Sequence, residues 1–523
     1  MVALKSSLLL SGWTAAVAAL PPPGRAPPCR FAPLHSQEDI LRDPNQFLQD
    51  YLYWEGKFHQ NDVSYNTANG MSYDGTQLDW KTGIASKKHD FSAASKESLQ
   101  IMIYAQAISG SPEAARFLSP DRPHAAVDIA ADIMATKIKT YLKFNETYPG
   151  FGGFLPWFNS ASQDIAPTSD WVNRVPALDN GELLWAVYGA IEAMESCGHK
   201  DLSQLAAKWS DWLDYTKKTA SKIFYAGKGR VCAVTTIGNQ SLAVTSPGQT
   251  YACEGTATLD DPYEGELFTW WLHFFSDLPQ EDQDALWEAK RAKLVSVEYE
   301  MDGVGPITVQ EGYWFSSHEQ WKVLEMPYYD VDIVRRVFTN AERVRTCNSV
   351  VIKNPGLFAS INNITNITSD EIIGYISNTG IPSVSSQKKQ ENIVITPYGS
   401  YPTILINKGV GLAWVRNMLI AKKMQNTYGS TEATRIDGTG VSALLTWDSK
   451  VTTVAAVLGG VQDLVRTRLR RHGLYNDFVS ILEREHSRVF TELKGEHVDL
   501  CLPEAHVPDT GLKDFTSCVA SPH

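Results

Sequence analysis

Apolar residues recur at three- and four-residue spacing along most of the chain, a period that predicts amphipathic or buried helices. The segment 95–108, SKESLQIMIYAQAI, places Leu99, Met102 and Ile103 on one face. Further helices are expected over 125–144, 179–195, 201–224, 265–278, 281–300, 318–344, 409–425 and 451–470. Asp179 followed by Glu182 reads as a capping box at the start of the 179–195 helix. The strand-like stretches KGRVCAVTTIG (228–238) and NIVITPY (392–398) are short, and they do not alternate with helices as a parallel α/β protein requires.

The helices come in pairs. One member is often rich in Ala, Gly and aromatic residues and follows a polar, glycine-bearing loop: DNG before 182, DPYEG before 266, INKG before 410. Its partner is more charged. A double ring of helices needs this alternation, because inner helices meet protein on every side and outer ones meet water on one. The expected fold is therefore all-α, an (α/α) barrel with six pairs as the best guess. A solenoid of stacked pairs is the runner-up, but its repeat of about 34 to 47 residues is not visible. The length permits more than one domain, yet no Gly/Ser or Pro/Thr/Ser linker interrupts it, so one catalytic domain over 20–523 is expected.

The N-terminus changes the expected location. Met1 and Lys5 precede an apolar run from Leu8 to Leu20, which is too short for a stable membrane span of about 20 residues. The run ends in AVAA (16–19) and meets LPPPGRAPP, so residues 1–19 read as a cleaved signal peptide and the mature protein as secreted, with no membrane partner. Sequons at Asn145, Asn239, Asn363 and Asn366 mark candidate glycosylated surface loops. None of the seven cysteines forms a CxxC pair. Secretion favours disulfides among them, and the odd count leaves one thiol over, but spacing assigns no pairing. The net charge of -12 has no clustered basic residues beside it, which argues against nucleic acid. A monomer is expected.

Composition points to sugar. There are 15 Trp and 21 Tyr, many beside Gly, Asn or Asp: Trp157, Trp171, Tyr263, Trp314 and Trp447 stand in such settings. Aromatic faces stack on sugar rings while neighbouring amides and carboxylates bond the hydroxyls, although a large helical core also uses Trp. Hydrolysing an acetal takes two carboxyl groups, one to protonate the leaving oxygen and one to activate water or attack carbon. The densest acidic cluster is CEGTATLDDPYEGELFTWW (253–271), with Glu254, Asp260, Asp261, Glu264 and Glu266. If the helix begins at 263, Glu264 shares a face with Phe268 and Trp271, and Glu266 points about 200° away. Asp448, in GTGVSALLTWDSK (438–450), stands out because its surroundings are apolar or small. Asp179, Glu311, His318, Glu319 and Asp330 are weaker candidates. Metal-ligand spacing, a nucleophile elbow, a P-loop and a dinucleotide fingerprint are all missing, so neither metal nor cofactor is expected.

The segments DDPYEGELFTWW and LLTWDSK, with the helix-pair pattern, resemble the fungal endo-β-1,2-glucanase family of glycoside hydrolases across nearly all of the mature chain. The organisation is also similar to that of the bacterial endo-β-1,2-glucanases. The resemblance implies an (α/α)6 barrel and inverting endo-cleavage of linear β-1,2-glucan to sophorooligosaccharides. By position it makes Glu264 the general acid, acting through a hydroxyl of the bound sugar, and Asp448 the general base, acting on water. Glu266 remains the alternative acid. Substrate contacts are expected at Trp157, Asp179, Tyr263, Glu311, Trp314, His318 and Trp447. The residues alone leave open a glucanase of another linkage, a polysaccharide lyase and a non-catalytic glycan-binding barrel.

Overall fold

The computed structural model describes residues 26–363 and 374–519. Its inner ring consists of Ala94–Ile108, Ala177–Ser196, Glu266–Phe275, Lys322–Glu325, Tyr401–Ile406 and Trp447–Val457. The ring closes where Trp447–Val457 packs on Ala94–Ile108. Outside it lie Ala126–Thr147, Lys200–Phe224, Gln280–Arg291, Asp332–Val351, Lys408–Leu419 and Gln462–Arg471, each against an inner helix. This is the expected (α/α)6 barrel.

Residue choice explains which ring a helix joins. Ala177–Ser196 buries residues around its whole circumference, from Leu183, Leu184 and Trp185 to Ala190 and Ile191. Lys200–Phe224 buries one stripe, Leu202, Leu205, Ala206, Trp209, Leu213 and Ile223, and turns its lysines and aspartates to solvent. Close packing in the inner ring depends on Gly181, where a β-carbon would stand 2.7 Å from the Phe268 backbone nitrogen.

The expected helices over 95–108, 125–144, 179–195 and 201–224 agree with the structure to within a few residues. The 265–278 helix runs over Glu266–Phe275, and four others depart from the structure. The 281–300 segment is a helix only to Arg291; Ser296–Met301 is a strand paired antiparallel with Val304–Gln310, and Tyr299 is buried between exposed Glu298 and Glu300 in a two-residue alternation. The 318–344 segment breaks at Pro327, which lacks an amide donor, and resumes at Asp332. The 451–470 segment breaks at Gly459 and Gly460, both in the left-handed region that glycine tolerates. The 409–425 helix ends at Leu419. The capping box is also corrected: the helix begins at Ala177, and Asn180, not Glu182, ties its start to the preceding loop through Leu155 and Pro176.

Small antiparallel sheets of two or three strands accompany the barrel. In one of them Gly75–Leu78 lies between Leu444–Thr446 and Ala85–His89, which brings Asp74 next to the start of the Trp447–Val457 helix. Disulfides join Cys29 to Cys518, Cys232 to Cys253 and Cys347 to Cys501, leaving Cys197 free. The first holds the two ends of the described chain together. No helix among the described residues is long and apolar enough to cross a membrane. The signal-peptide segment and Asn366 lie outside the described residues. Asn145 is in the last turn of Ala126–Thr147, so it is helical and not in a loop, whereas Asn239 is exposed in a turn and Asn363 ends the strand Ile361–Asn363.

Candidate active site

The candidate carboxylates stand at or near the starts of inner helices, and Asp179, Glu264 and Asp448 all act on Glu182. Lys96 opens one helix, Asp179 and Glu182 the next, Glu264 immediately precedes a third, and Asp448 is the second residue of Trp447–Val457. Helix starts favour negative charge, so an acidic cleft floor suits this end of the barrel.

Glu264 lies in the turn before its helix, which begins at Glu266 and not at 263. Two buried lysines fix that turn. Lys290 donates to the carbonyls of Leu259 (2.7 Å) and Asp261 (2.8 Å), and Lys322 to that of Pro262 (2.7 Å). Glu264 itself receives no such partner, and its Oε2 is buried and unbonded. Burial, reinforced by repulsion from Asp261 and Glu319 and opposed by its own backbone amide and by Lys322, pushes its carboxyl up to about 8. Glu266, two residues on, is the opposite case. Its Oε2 accepts from Lys322 Nζ at 2.6 Å and from the Tyr328 hydroxyl at 2.8 Å. Against the penalty of burial, Lys322 and Lys290 hold it below the usual carboxylate range.

Asp448 has a cation. Its Oδ2 meets Lys96 Nζ at 2.9 Å, while Oδ1 is left without a partner. Burial raises its carboxyl, Lys96 pulls it back and Asp74 raises it again. Lys96 loses charge stability through burial but lies among Asp448, Asp74 and Asp179, which together keep it protonated far above the ordinary range. The Asp448 side chain is 22% exposed, as expected of a group on a cleft floor that solvent reaches.

Asp179 accepts from the Trp157 indole at 3.0 Å and is raised mainly by burial, against Lys96. One turn deeper, Glu182 and Glu325 are fully buried, and all four of their carboxyl oxygens lack a partner among the described residues. Burial keeps both well above the carboxylate range, and at Glu182 repulsion from Asp179, Glu325, Glu264 and Asp448 adds to it.

One expected sugar platform is corrected, at Trp447. Trp157 is half-buried, lies near-parallel to Phe91 (5.9 Å, 11°) and to Trp171 (5.5 Å, 13°), and donates its N–H to Asp179. Trp447 is wholly buried, donates to the Ser64 carbonyl at 2.8 Å and packs edge-on against Phe58. Tyr263 donates to the Glu311 carbonyl at 3.0 Å, so Glu311 contributes backbone there. Trp314 is half-buried beside Tyr313, in a turn whose amides at Tyr313, Trp314 and Ser316 are all bonded by Glu319. Burial raises the Glu319 carboxyl to about 7 despite those bonds. His318 is neutral: burial, then Arg345, lowers it to about 4, and its Nδ1 lies 2.9 Å from both Ser316 Oγ and Ser360 Oγ. Asp330 is on the far side of the helix ends, tied to Arg466 and the Tyr475 hydroxyl. No group of three or more His, Cys, Asp or Glu among the described residues is arranged to hold a metal.

Comparison with known proteins fixes the family. The model of the family described as Endo-beta-1,2-glucanase SGL matches residues 71–519. The chain belongs to this endo-β-1,2-glucanase family. It is similar to the endo-β-1,2-glucanase from Talaromyces funiculosus solved with sophorose, at 66% identity over 94% of this chain and 100% of that one, with a TM-score of 0.93. A glutamate-to-glutamine mutant of that enzyme, solved with β-1,2-glucan, matches at 66% identity over the same shares with a TM-score of 0.94. The endo-β-1,2-glucanase from Chitinophaga pinensis shares the fold alone, at 11% identity, a TM-score of 0.51 and coverage of 87% of this chain and 98% of that one. No curated protein matches the chain.

The sequence reading missed Lys96, Asp74 and the interior role of Glu182. Lys96 carried one usable signal: with Glu97 it is one of the only two charges in its helix, both in the first turn.

Proposed function

We infer that this chain hydrolyses linear β-1,2-glucan internally and releases sophorooligosaccharides with inversion, Glu264 acting as general acid and Asp448 as general base. The observation that carries the assignment is the contrast between the two carboxyls, one with no close cation and the other bonded to Lys96, in a member of the endo-β-1,2-glucanase family. A proton held to about pH 8 is available to the leaving oxygen, directly or through a sugar hydroxyl. Lys96 occupies Asp448 Oδ2, and the free Oδ1 takes the proton of the attacking water. After one turnover Glu264 has lost a proton and Asp448 has gained one, so the pair resets by exchange with solvent.

The acidic surroundings favour a hydrolase over a lyase, since a uronate polymer would need several cations where Asp448, Asp74 and Asp179 stand around the single Lys96. The three disulfides and the sequons favour secretion. The test is incubation with β-1,2-, β-1,3-, β-1,4-, β-1,6- and α-glucans, with Glu264→Gln and Asp448→Asn alongside. The expected result is sophorooligosaccharides from β-1,2-glucan alone and a loss of about 10²- to 10⁴-fold in each variant. Cleavage of another polymer, or full activity in either variant, would overturn the reading.

A further inference from the structure

With Trp447 wholly buried, a sugar ring beside Asp448 needs another surface. Tyr375 supplies one. It sits opposite Asn362 in the antiparallel pair Ile361–Asn363 and Gly374–Ile376. That pair is fastened to the segment carrying Asp448: Glu432 accepts from the Asn362 amide and side chain (3.3 and 3.2 Å) and from the hydroxyls of Thr446 (2.6 Å) and Ser449 (2.7 Å), which flank Trp447 and Asp448. The two ends of the tyrosine are treated differently. Its hydroxyl bonds Ser360, whose Oγ is 2.9 Å from His318 Nδ1, and lies in the field of Asp448 and Lys96. The residue as a whole is nevertheless 59% exposed, the largest exposure of an aromatic residue among the described residues.

An aromatic ring anchored at its polar tip and open along its body is already ordered, so stacking on it costs little further side-chain entropy. Resting on the glucan reading above, we propose that Tyr375 is a substrate-contacting residue, its ring packing on the glucosyl unit held against the Asp448 side of the cleft. The pyranose presents its apolar C–H face to the ring, and its hydroxyls are left to Asp448, Lys96 and Asp179. His318, which sequence reading placed on the substrate, then acts one step back by holding Ser360.

The experiment measures kcat and KM on β-1,2-glucan for the wild type, Tyr375→Phe, Tyr375→Trp and Tyr375→Ala, with thermal unfolding of each. Tyr375→Ala is expected to raise KM about tenfold at unchanged melting temperature. Tyr375→Phe and Tyr375→Trp, which keep a ring, are expected to stay within about threefold of the wild type. An unchanged KM in Tyr375→Ala overturns the proposal, as does a KM rise in all three variants accompanied by lower melting temperatures, which would mark Tyr375 as structural. A wild type inactive on β-1,2-glucan would defeat the functional reading instead, so the two failures are told apart.

Discussion

The two sides of the cleft carry the same functional group in opposite settings. On one side Glu264 is ringed by Asp261 and Glu319, and its proton is held to about pH 8. On the other, Asp448 is bonded to Lys96 while one oxygen stays free. Both are on the cleft floor, and burial raises both. What separates an acid from a base here is one lysine, and Glu266 makes the same point two residues from Glu264, where Lys322 holds a carboxylate ionised. Identity and neighbourhood in sequence do not decide charge state; the cation delivered by a distant segment does.

The contrast can be broken most severely at Lys322. Lys322→Met leaves Glu266 buried without its cation and frees the turn at Pro262, so a loss of about 3–5 kcal/mol is expected in denaturant unfolding. An unchanged midpoint would show that the turn does not depend on the pair. Stability against pH sharpens the other side. The carboxyls of Glu264 and Glu319 are raised from 4.5 to about 8 and about 7, and Glu182 and Glu325 are raised as well. Stability from such groups is complete below about pH 4.5 and is lost as pH rises through the folded values, so the melting temperature should fall between pH 5 and 9. The fall should be shallower in Glu264→Gln; an equal slope would mean that Glu264 is not held neutral. Glu266 contributes in the reverse sense, its stabilisation being present above 4.5 and lost below. The smallest effect is at Trp157. Trp157→Phe keeps the stack between Phe91 and Trp171 but removes the N–H from Asp179, for an expected decrease of about three- to tenfold in kcat/KM. No decrease would detach Asp179 from the reaction.

Much of this was legible in the chain. The barrel followed from helices whose apolar spacing was uninterrupted, and it was misread where a local signal cut across the period: the alternation of Ser296–Met301, Pro327, and the Gly459–Gly460 pair. Glu264 and Asp448 stood out because an acid among aromatic or small residues has few structural explanations. Their charge states did not, since Lys96, Lys290 and Lys322 come from remote segments. Trp447 was mistaken for a sugar platform because a tryptophan next to Asp looks the same whether its face meets a sugar, another ring or the core. Tyr375 was overlooked in a stretch whose asparagines drew notice only as sequons.

The most direct measurement is kcat/KM for β-1,2-glucan from pH 3 to 10, in the wild type and in Lys96→Met. The wild-type curve should be bell-shaped, falling on the alkaline side near pH 8 as Glu264 ionises. Removing Lys96 raises the Asp448 carboxyl, so the acidic limb should move to higher pH while the alkaline limb stays in place. An alkaline limb that shifts with Lys96, or an acidic limb that does not, would contradict the assignment of the two roles to these two carboxyls.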